Sequence, residues 1–445
     1  MSGDLVELTI RDIALGGSGV GNDAGGRVVF VPRTVPGDRV RVELTEQRAR
    51  WAKARVVELR QGGPARVEPP CPNFSSCGGC QWQHVSPEEQ AGALTRGISE
   101  VLRRVGGMDV PVIPLEPSPL RSGYRNRVTF TLRRQDGTIV AGYHRPSGPG
   151  VVDIDCCPLA EPAIERAWKG LRNAWGPSAR LLPRGADLRL TLRASAAGNV
   201  GLLVGGGSMG GSATERADPS EVESARRHAA ALLKSAPALS SIWWKPRRGG
   251  RHHVGGTRYL SETWDGLRLD LRPEAFLQTN RSVAATIERY LDDEIGDPGG
   301  MTIADLYAGV GARSIRWAAR GARVVAVEAG GDAVETGRDA GRRAGVAVRF
   351  VQATVERSLA DLGAPDLIVV NPPRTGLSAE AASALATTDA ARIAYISCDP
   401  STLARDMARL ASAWRPRVAR PFDVFPQTGH VETVLWLDRR ASTDL

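Results

Sequence analysis

From about residue 266 onward, short apolar strands alternate with helices rich in Ala and Arg. This alternation constrains the fold more than any other feature of the chain. Strands that are apolar on both faces need helices above and below them, and βαβ order predicts a doubly wound, Rossmann-like parallel sheet. Within it, Ile393-Ala394-Tyr395-Ile396 reads as a buried strand that Ser397, Asp399 and Pro400 bring to an end. Cys398 therefore sits at a strand end, where open α/β sheets place their ligand sites. A lone Cys is by itself ordinary core material. The neighbouring motifs argue for chemistry.

Thr302-Ile303-Ala304-Asp305-Leu306 is a second strand, and it passes through Tyr307 and Ala308 into the Gly309-Val310-Gly311 turn before a helix. Glycines at such a turn let the backbone approach a ligand closely. A third strand, Arg323 to Val327, ends in Glu328, nineteen residues after Gly309. An acid there can hydrogen-bond a ribose. Ser314 stands where a dinucleotide fingerprint would carry its third glycine. Asp305, Gly309, Gly311 and Glu328 together point instead to S-adenosylmethionine. A fourth strand, Asp366 to Val370, runs into Asn371-Pro372-Pro373-Arg374. That sequence is either a loop terminator or a platform for a planar base.

The other five of the six cysteines lie between positions 71 and 157. Cys71, Cys77 and Cys80 form C-x5-C-x2-C, and Cys156-Cys157-Pro158 offers a fourth thiol. Three thiolates in ten residues, with glycines between them, suit an iron–sulfur cluster or, alternatively, a tetrahedral zinc. Clustered cysteines in a cytosolic protein rarely mean disulfides. A cytoplasmic location is expected because the segment Met1 to Glu7 lacks a signal-peptide core and no apolar run reaches membrane-spanning length. No membrane partner is expected.

A chain of 445 residues exceeds one ordinary core. Residues 1–62 alternate with strand periodicity between Gly-rich turns and predict a small β-barrel of a kind often used to bind RNA. Residues 39–60 hold seven basic and three acidic side chains, a candidate phosphate-contacting face. Net charge is +9, which fits a polyanionic partner, although a genome favouring Arg, Ala and Gly codons gives the same excess. Residues 63–265 read as a central β-rich domain with a helical insert near 85–117 that packs on the catalytic domain. Gly205 to Ser212 reads as a mobile loop. Residues 266–445 form the third domain, and a monomer is expected.

Taken together, these segments resemble the RNA uracil-5-methyltransferase family, the class that carries a TRAM domain and an iron–sulfur cluster. The resemblance covers essentially the whole chain. Residues 1–62 look like the TRAM barrel, and Tyr124-Arg125-Asn126-Arg127 is similar to the opening of the family's central RNA-binding domain. Phe276-Leu277-Gln278-Thr279-Asn280 matches its Phe-x-Gln-x-Asn entry to the catalytic domain. Ser397-Cys398-Asp399-Pro400 matches the nucleophile motif, and Phe425-Pro426-Gln427-Thr428-Gly429-His430-Val431-Glu432 the motif that supplies the base. The resemblance implies a [4Fe–4S] cluster on Cys71, Cys77, Cys80 and Cys157. It implies cofactor contacts at Gln278, Tyr307, Gly309, Gly311, Glu328, Thr354 and Asn371. It also implies RNA as the partner, with 23S ribosomal RNA favoured over transfer RNA. Asn371 departs from the family's Asp, Ala312 stands where Asn is frequent, and Thr354 replaces another polar contact. Asn keeps a carbonyl acceptor but loses the charge.

The implied chemistry is covalent. A thiolate from Cys398 adds to C6 of uracil, C5 takes the methyl group, and Glu432 removes the C5 proton. His430 is the internal rival as base, since its intrinsic pKa is closer to neutral. The target base has to leave its stack. Trp82, Tyr124 and the Trp243-Trp244 pair are candidate stacking surfaces, with core as the alternative. A tRNA methyltransferase or a weakly catalytic RNA chaperone is the competing reading. Radical methylthiotransferases also join such a barrel to a cluster, but their C-x3-C-x2-C motif is absent.

Overall fold

A computed structural model of the chain describes residues 4–135, 137–209 and 218–440. The first sheet orders its strands Leu5–Thr9, Arg39–Gln47, Trp51–Gln61, Val28–Pro32, Ser18–Asn22 and Asp12–Ile13. The Leu5–Thr9 and Ser18–Asn22 strands also touch, so the sheet curls on itself. Its interior is the alternate apolar set Leu8, Ile10, Val29, Val31, Val40 and Val42. The basic face at 39–60 is heavily ion-paired. Lys53 and Arg48 share Glu46, Arg55 pairs with Glu43, and Arg60 pairs with Glu7 and Glu58. Asp38, fully buried, ties this unit to the connector that follows. Its carboxylate accepts from the amides of Val35 and Gly63, each at 2.8 Å, and pairs with Arg66.

The central sheet orders its strands His252–Gly256, Leu239–Lys245, Val200–Gly205, Asp187–Ala194, Arg127–Gln135, Thr138–His144 and Val151–Asp153. Two helices absent from the sequence reading, Pro162–Ala174 and Pro219–Ser235, cover it. The second begins with a capping box between Asp218 and Glu221. The four proposed stacking aromatics are core. Trp82, Tyr124, Trp243 and Trp244 are 0%, 2%, 3% and 1% exposed, so none offers a face to a base. Of the loop read at 205–212, residues 210–212 lie outside the described residues.

The helix Pro87–Arg104 leaves the central unit and packs on the third one, with Leu94, Ile98 and Leu102 against Leu403, Ala404 and Met407. The junction expected at 265–266 falls on the turn of a hairpin, Leu260–Trp264 with Leu267–Leu271. Leu269 and Leu271 pack with Val310, Ile315 and Phe350, which places the hairpin's second strand in the third unit.

That unit carries a seven-stranded sheet: β1 (Thr302–Leu306), β2 (Arg323–Glu328), β3 (Arg349–Gln352), β4 (Leu367–Val370), β5 (Arg392–Ser397), β6 (Trp414–Phe422) and β7 (Glu432–Arg439). Their spatial order is β3-β2-β1-β4-β5-β7-β6. The first five are parallel, and β7 inserts antiparallel between β5 and β6. Helices bury Leu306, Val327, Ile368, Val370, Ile393 and Tyr395 on one face and Ile303, Val324, Leu367, Val369, Ala394 and Ile396 on the other. Among the described residues, no helix is long and apolar enough to cross a membrane.

Removing the Asp38 carboxylate orphans two buried amides and a guanidinium. Asp38→Ala should cost about 3 kcal/mol in the N-terminal unit, seen as an earlier denaturant transition.

Candidate active site

The carboxyl ends of β1, β2, β4 and β5 open on one cleft of about 800 Å³. Its lining includes Gln278, Tyr307, Gly309, Glu328, Asn371, Cys398 and Glu432. Six separate sequence segments thus converge in space. Gly311 and Thr354 do not line it. Gly311 lies in the left-handed region (φ +65°) at the start of the Ala312–Ala319 helix, where a Cβ would stand 2.5 Å from the Phe350 ring. Thr354 is the N-terminal cap residue of the short Val355–Ser358 helix.

The cofactor end is built from backbone turns. Tyr307 adopts φ +59° directly after β1, a conformation that bulky residues avoid and that is concentrated at ligand sites. Glu328 ends β2, and its carboxylate accepts from the amides of Gly309 at 3.0 Å and Gly330 at 2.7 Å. This fixes the acid at the rim of the glycine turn. Ser314 uses its hydroxyl to donate to Asp305 at 2.6 Å, so the residue that breaks the glycine fingerprint secures a buried carboxylate. Burial raises the Asp305 pKa and Arg313 opposes the rise; the carboxylate's Oδ1 accepts no hydrogen bond and lies 3.9 Å from the Arg313 guanidinium. Asn371 is held by its amide on the Leu306 carbonyl at 3.2 Å, leaving its side chain in the cleft lining. Asn280, last of the Phe-x-Gln-x-Asn run, caps the Arg281–Ile295 helix and donates to Ser118 and to the Val424 carbonyl. It is structural, whereas Gln278 faces the cleft.

The reacting end follows from strand register. Ser397 of β5 pairs with Thr433 of β7. The next residue outward on β5 is Cys398, and its counterpart on β7 is Glu432. The antiparallel insertion therefore sets the thiol and the carboxylate beside each other. Cys398 is half-buried; Asp399 after it caps the Pro400–Leu410 helix by accepting from Ser401 and Thr402 at 2.9 and 3.1 Å. Glu432 is 3% exposed, and burial pushes its pKa up to about 7 against the pull of Arg313 and Arg374. Burial and the nearby Glu432 push the Cys398 thiol up, and Arg374 pulls it down. His430 is exposed, does not line the cleft, and lies edge-on to Phe425 with ring centroids 6.2 Å apart.

Three lining residues escaped the sequence reading as site members. Arg374 is exposed within the cleft beside the thiol. Phe276, 64% exposed, and Phe425 are the apolar surfaces that the buried tryptophans do not provide. Both lie inside motifs already noted, so the only signal was their place beside Gln278 and Glu432.

A second, smaller cavity is lined by Cys71, Cys77, Cys80, Cys156 and Cys157, with Arg125 and Tyr143. Cys157 is buried and Cys156 exposed. Burial raises the Cys77 and Cys157 thiols and lifts Cys80 to about 11. Among the described residues, no group of three or more His, Cys, Asp or Glu is placed to hold a metal ion.

The strand order, the glycine turn and the acid ending β2 define an S-adenosylmethionine-dependent methyltransferase, here with a thiol and a carboxylate at its reacting end. Residues 354–440 match the tRNA (uracil-5-)-methyltransferase family, and residues 1–57 match the TRAM domain. An RNA methyltransferase of Thermosynechococcus vestitus is 32% identical, covering 98% of each chain. The 23S rRNA (uracil(1939)-C(5))-methyltransferase of Chromohalobacter salexigens is 33% identical over 97% of this chain and 89% of its own. The crystal structure of Pyrococcus abyssi tRNA (uracil-54, C5)-methyltransferase with S-adenosyl-L-homocysteine superposes with a TM-score of 0.72, at 25% identity, covering 97% and 99% of the two chains. The chain belongs to the RNA (uracil-5-)-methyltransferase family and is an S-adenosylmethionine-dependent enzyme of that kind.

The electrostatics can be checked on the thiol alone. Glu432→Gln should lower the apparent pKa of Cys398 and speed its alkylation by iodoacetamide at neutral pH. Arg374→Gln should do the reverse. The pH dependence of the alkylation rate reads both.

Proposed function

We propose that the enzyme methylates C5 of a uridine in 23S ribosomal RNA through a covalent adduct of Cys398 with C6, resolved by Glu432. The observation that carries the mechanism is the β5–β7 register, which brings a nucleophile and a base with a raised pKa into one cleft. Gln278, Tyr307, Gly309, Glu328 and Asn371 would hold S-adenosylmethionine; the lining suits it, being acid-rich around a cationic ligand, with one Glu274 oxygen buried and unpartnered. When bound, it supplies an electrophilic methyl group.

Cys398 adds as thiolate to C6, and the C5–C6 pair of electrons makes C5 nucleophilic. C5 would form its bond to the methyl carbon as the methyl–sulfonium bond breaks, with that electron pair left on the departing neutral thioether. Glu432 then takes the C5 proton, the C5–C6 double bond reforms, and the C6–S bond breaks to return the thiolate. A carboxyl with a pKa near 7 is well matched to this task at neutral pH. Arg374 offers a fixed positive charge to the thiolate and to the negative charge that develops on the ring.

Ribosomal RNA is favoured over transfer RNA because the relative named for 23S rRNA is 33% identical and the tRNA enzyme 25%. We further propose that Cys71, Cys77, Cys80 and Cys157 hold a [4Fe–4S] cluster. What supports the reading is that all four line one cavity and that three thiolates within ten residues, with a distant Cys-Pro thiol, suit such a cluster.

Incubation with labelled methyl donor and total RNA, followed by mapping of the modified base, tests the assignment; label in transfer RNA alone would overturn the ribosomal one. Cys398→Ala should abolish transfer and keep cofactor binding. Glu432→Gln should accumulate an RNA–protein adduct on denaturing gels. Wild-type protein should show the same build-up as pH falls below about 7, where Glu432 keeps its proton and cannot accept another. Protein purified without oxygen should contain iron and sulfide. Cys80→Ser should lose them, and Cys156→Ser should retain them.

A further inference from the structure

Phe425 to His430 forms the loop that leads into the base, and the groups holding it come from elsewhere in the chain. The amides of Gln81 and Trp82 both donate to the Gln427 carbonyl, at 3.1 and 3.0 Å. Gln90, 3% exposed on the Pro87–Arg104 helix, closes a reciprocal pair with the same residue. Its Nε2 donates to Gln427 Oε1 at 3.1 Å, and its Oε1 accepts from the Gln427 amide at 3.3 Å. The same Nε2 lies 3.0 Å from the Trp82 carbonyl and 2.8 Å from that of Val85. Tyr124 donates its hydroxyl to the Pro426 carbonyl at 3.0 Å. Gln427 stands at φ +72°, a left-handed conformation that a residue with a side chain keeps only where its surroundings over-determine it.

These groups also border the thiol cavity. Gln81 and Trp82 directly follow Cys80. Arg125, next to Tyr124, lines the cavity, and its guanidinium lies 5.8 Å from the centre of the Phe425 ring in the catalytic cleft. No carboxylate pairs with Arg125 among the described residues, so its charge is turned toward the thiols and two aromatic faces. Physically, the cavity and the base are separated by one hydrogen-bonded loop.

We propose that the Cys77–Trp82 segment, with Gln90 and Tyr124, is a clamp that positions Phe425 and Glu432, so that the state of the thiol cavity is felt at proton removal from C5 and not at cofactor binding. Gln90, Tyr124 and Gln427 are positioning residues in this scheme, since they act through Glu432. The inference rests on the reading of Glu432 as the base.

Full-length Gln90→Leu, Tyr124→Phe and Cys80→Ser variants test it with three readouts. Amide hydrogen exchange across 425–432 should speed up by about tenfold, the equivalent of one lost hydrogen bond. S-adenosylmethionine affinity, measured by titration, should stay within about twofold of wild type on the same scale. The covalent adduct with an unmodified 23S rRNA transcript should accumulate on denaturing gels. Tyr124→Phe removes a single hydroxyl, so it reports on the clamp if Gln90→Leu fails to fold. Unchanged exchange in Tyr124→Phe together with unchanged adduct would overturn the clamp. Faster exchange without adduct, while Glu432→Gln does accumulate it, would also overturn it. If Glu432→Gln itself gives no adduct, the base assignment fails instead, and the exchange data still decide whether the loop is clamped. Wild-type exchange in Cys80→Ser would break the link to the thiol cavity.

Discussion

The insertion of β7 between β5 and β6 is the constraint on which the active site depends. A purely parallel sheet would bring only the carboxyl ends of its strands to that edge and would need a crossover before each strand. An antiparallel strand arrives at that edge with its first residue instead of its last. Glu432 opens β7 and Cys398 follows the end of β5, so the hydrogen-bonded ladder between the strands fixes their separation. Ladder register is rigid because a slip by one residue would exchange Val434 and Trp436, packed on one face of the sheet, with Leu435 and Leu437, packed on the other. Positioning at the reacting end is therefore as stable as the sheet itself.

The same placement explains the paired pKa shifts. Burial in a low-dielectric cleft disfavours the charge of both groups, and the Glu432 carboxylate adds to the rise at the Cys398 thiol. In the proposed mechanism the thiolate attacks and the carboxylate removes a proton at separate times. Arg374 and Arg313 supply positive charge from the β4 end and from the helix after the glycine turn. Their pull is weaker than burial at Glu432, which leaves the acid poised near neutrality.

Much of this was legible in the sequence because it depends on local pattern. Strand ends carrying Gly309, Glu328, Asn371 and Cys398 could be read from apolar runs and their terminators. Spacing grouped Cys71, Cys77 and Cys80, which do line one cavity together with Cys156 and Cys157. What escaped depended on burial and long-range packing. Trp82 and the Trp243-Trp244 pair are indistinguishable by sequence from exposed stacking residues, and only the central core shows them to be filled in. Thr354 could be aligned to a motif, yet its helix directs it to a cap and not to the cleft. The two helices over the central sheet lie between strands with strong β periodicity, which masked their weaker signals. Gln90 and Gln427, 337 residues apart, could not have been paired by any local rule.

Chain order gives the β7 insertion one more consequence. In the proposed mechanism the residues that would hold the methyl donor, and the nucleophile too, precede residue 399, whereas the proposed base comes only with β7. During synthesis β6 can bond only to the earlier Pro111–Glu116 segment until β7, its neighbour in the sheet, emerges. A chain cut between the two would still offer a thiol at the cleft but could not release a modified uridine. Such a fragment would be a dead-end trap for RNA, which makes completion of the sheet a checkpoint between a harmful half-enzyme and a working one.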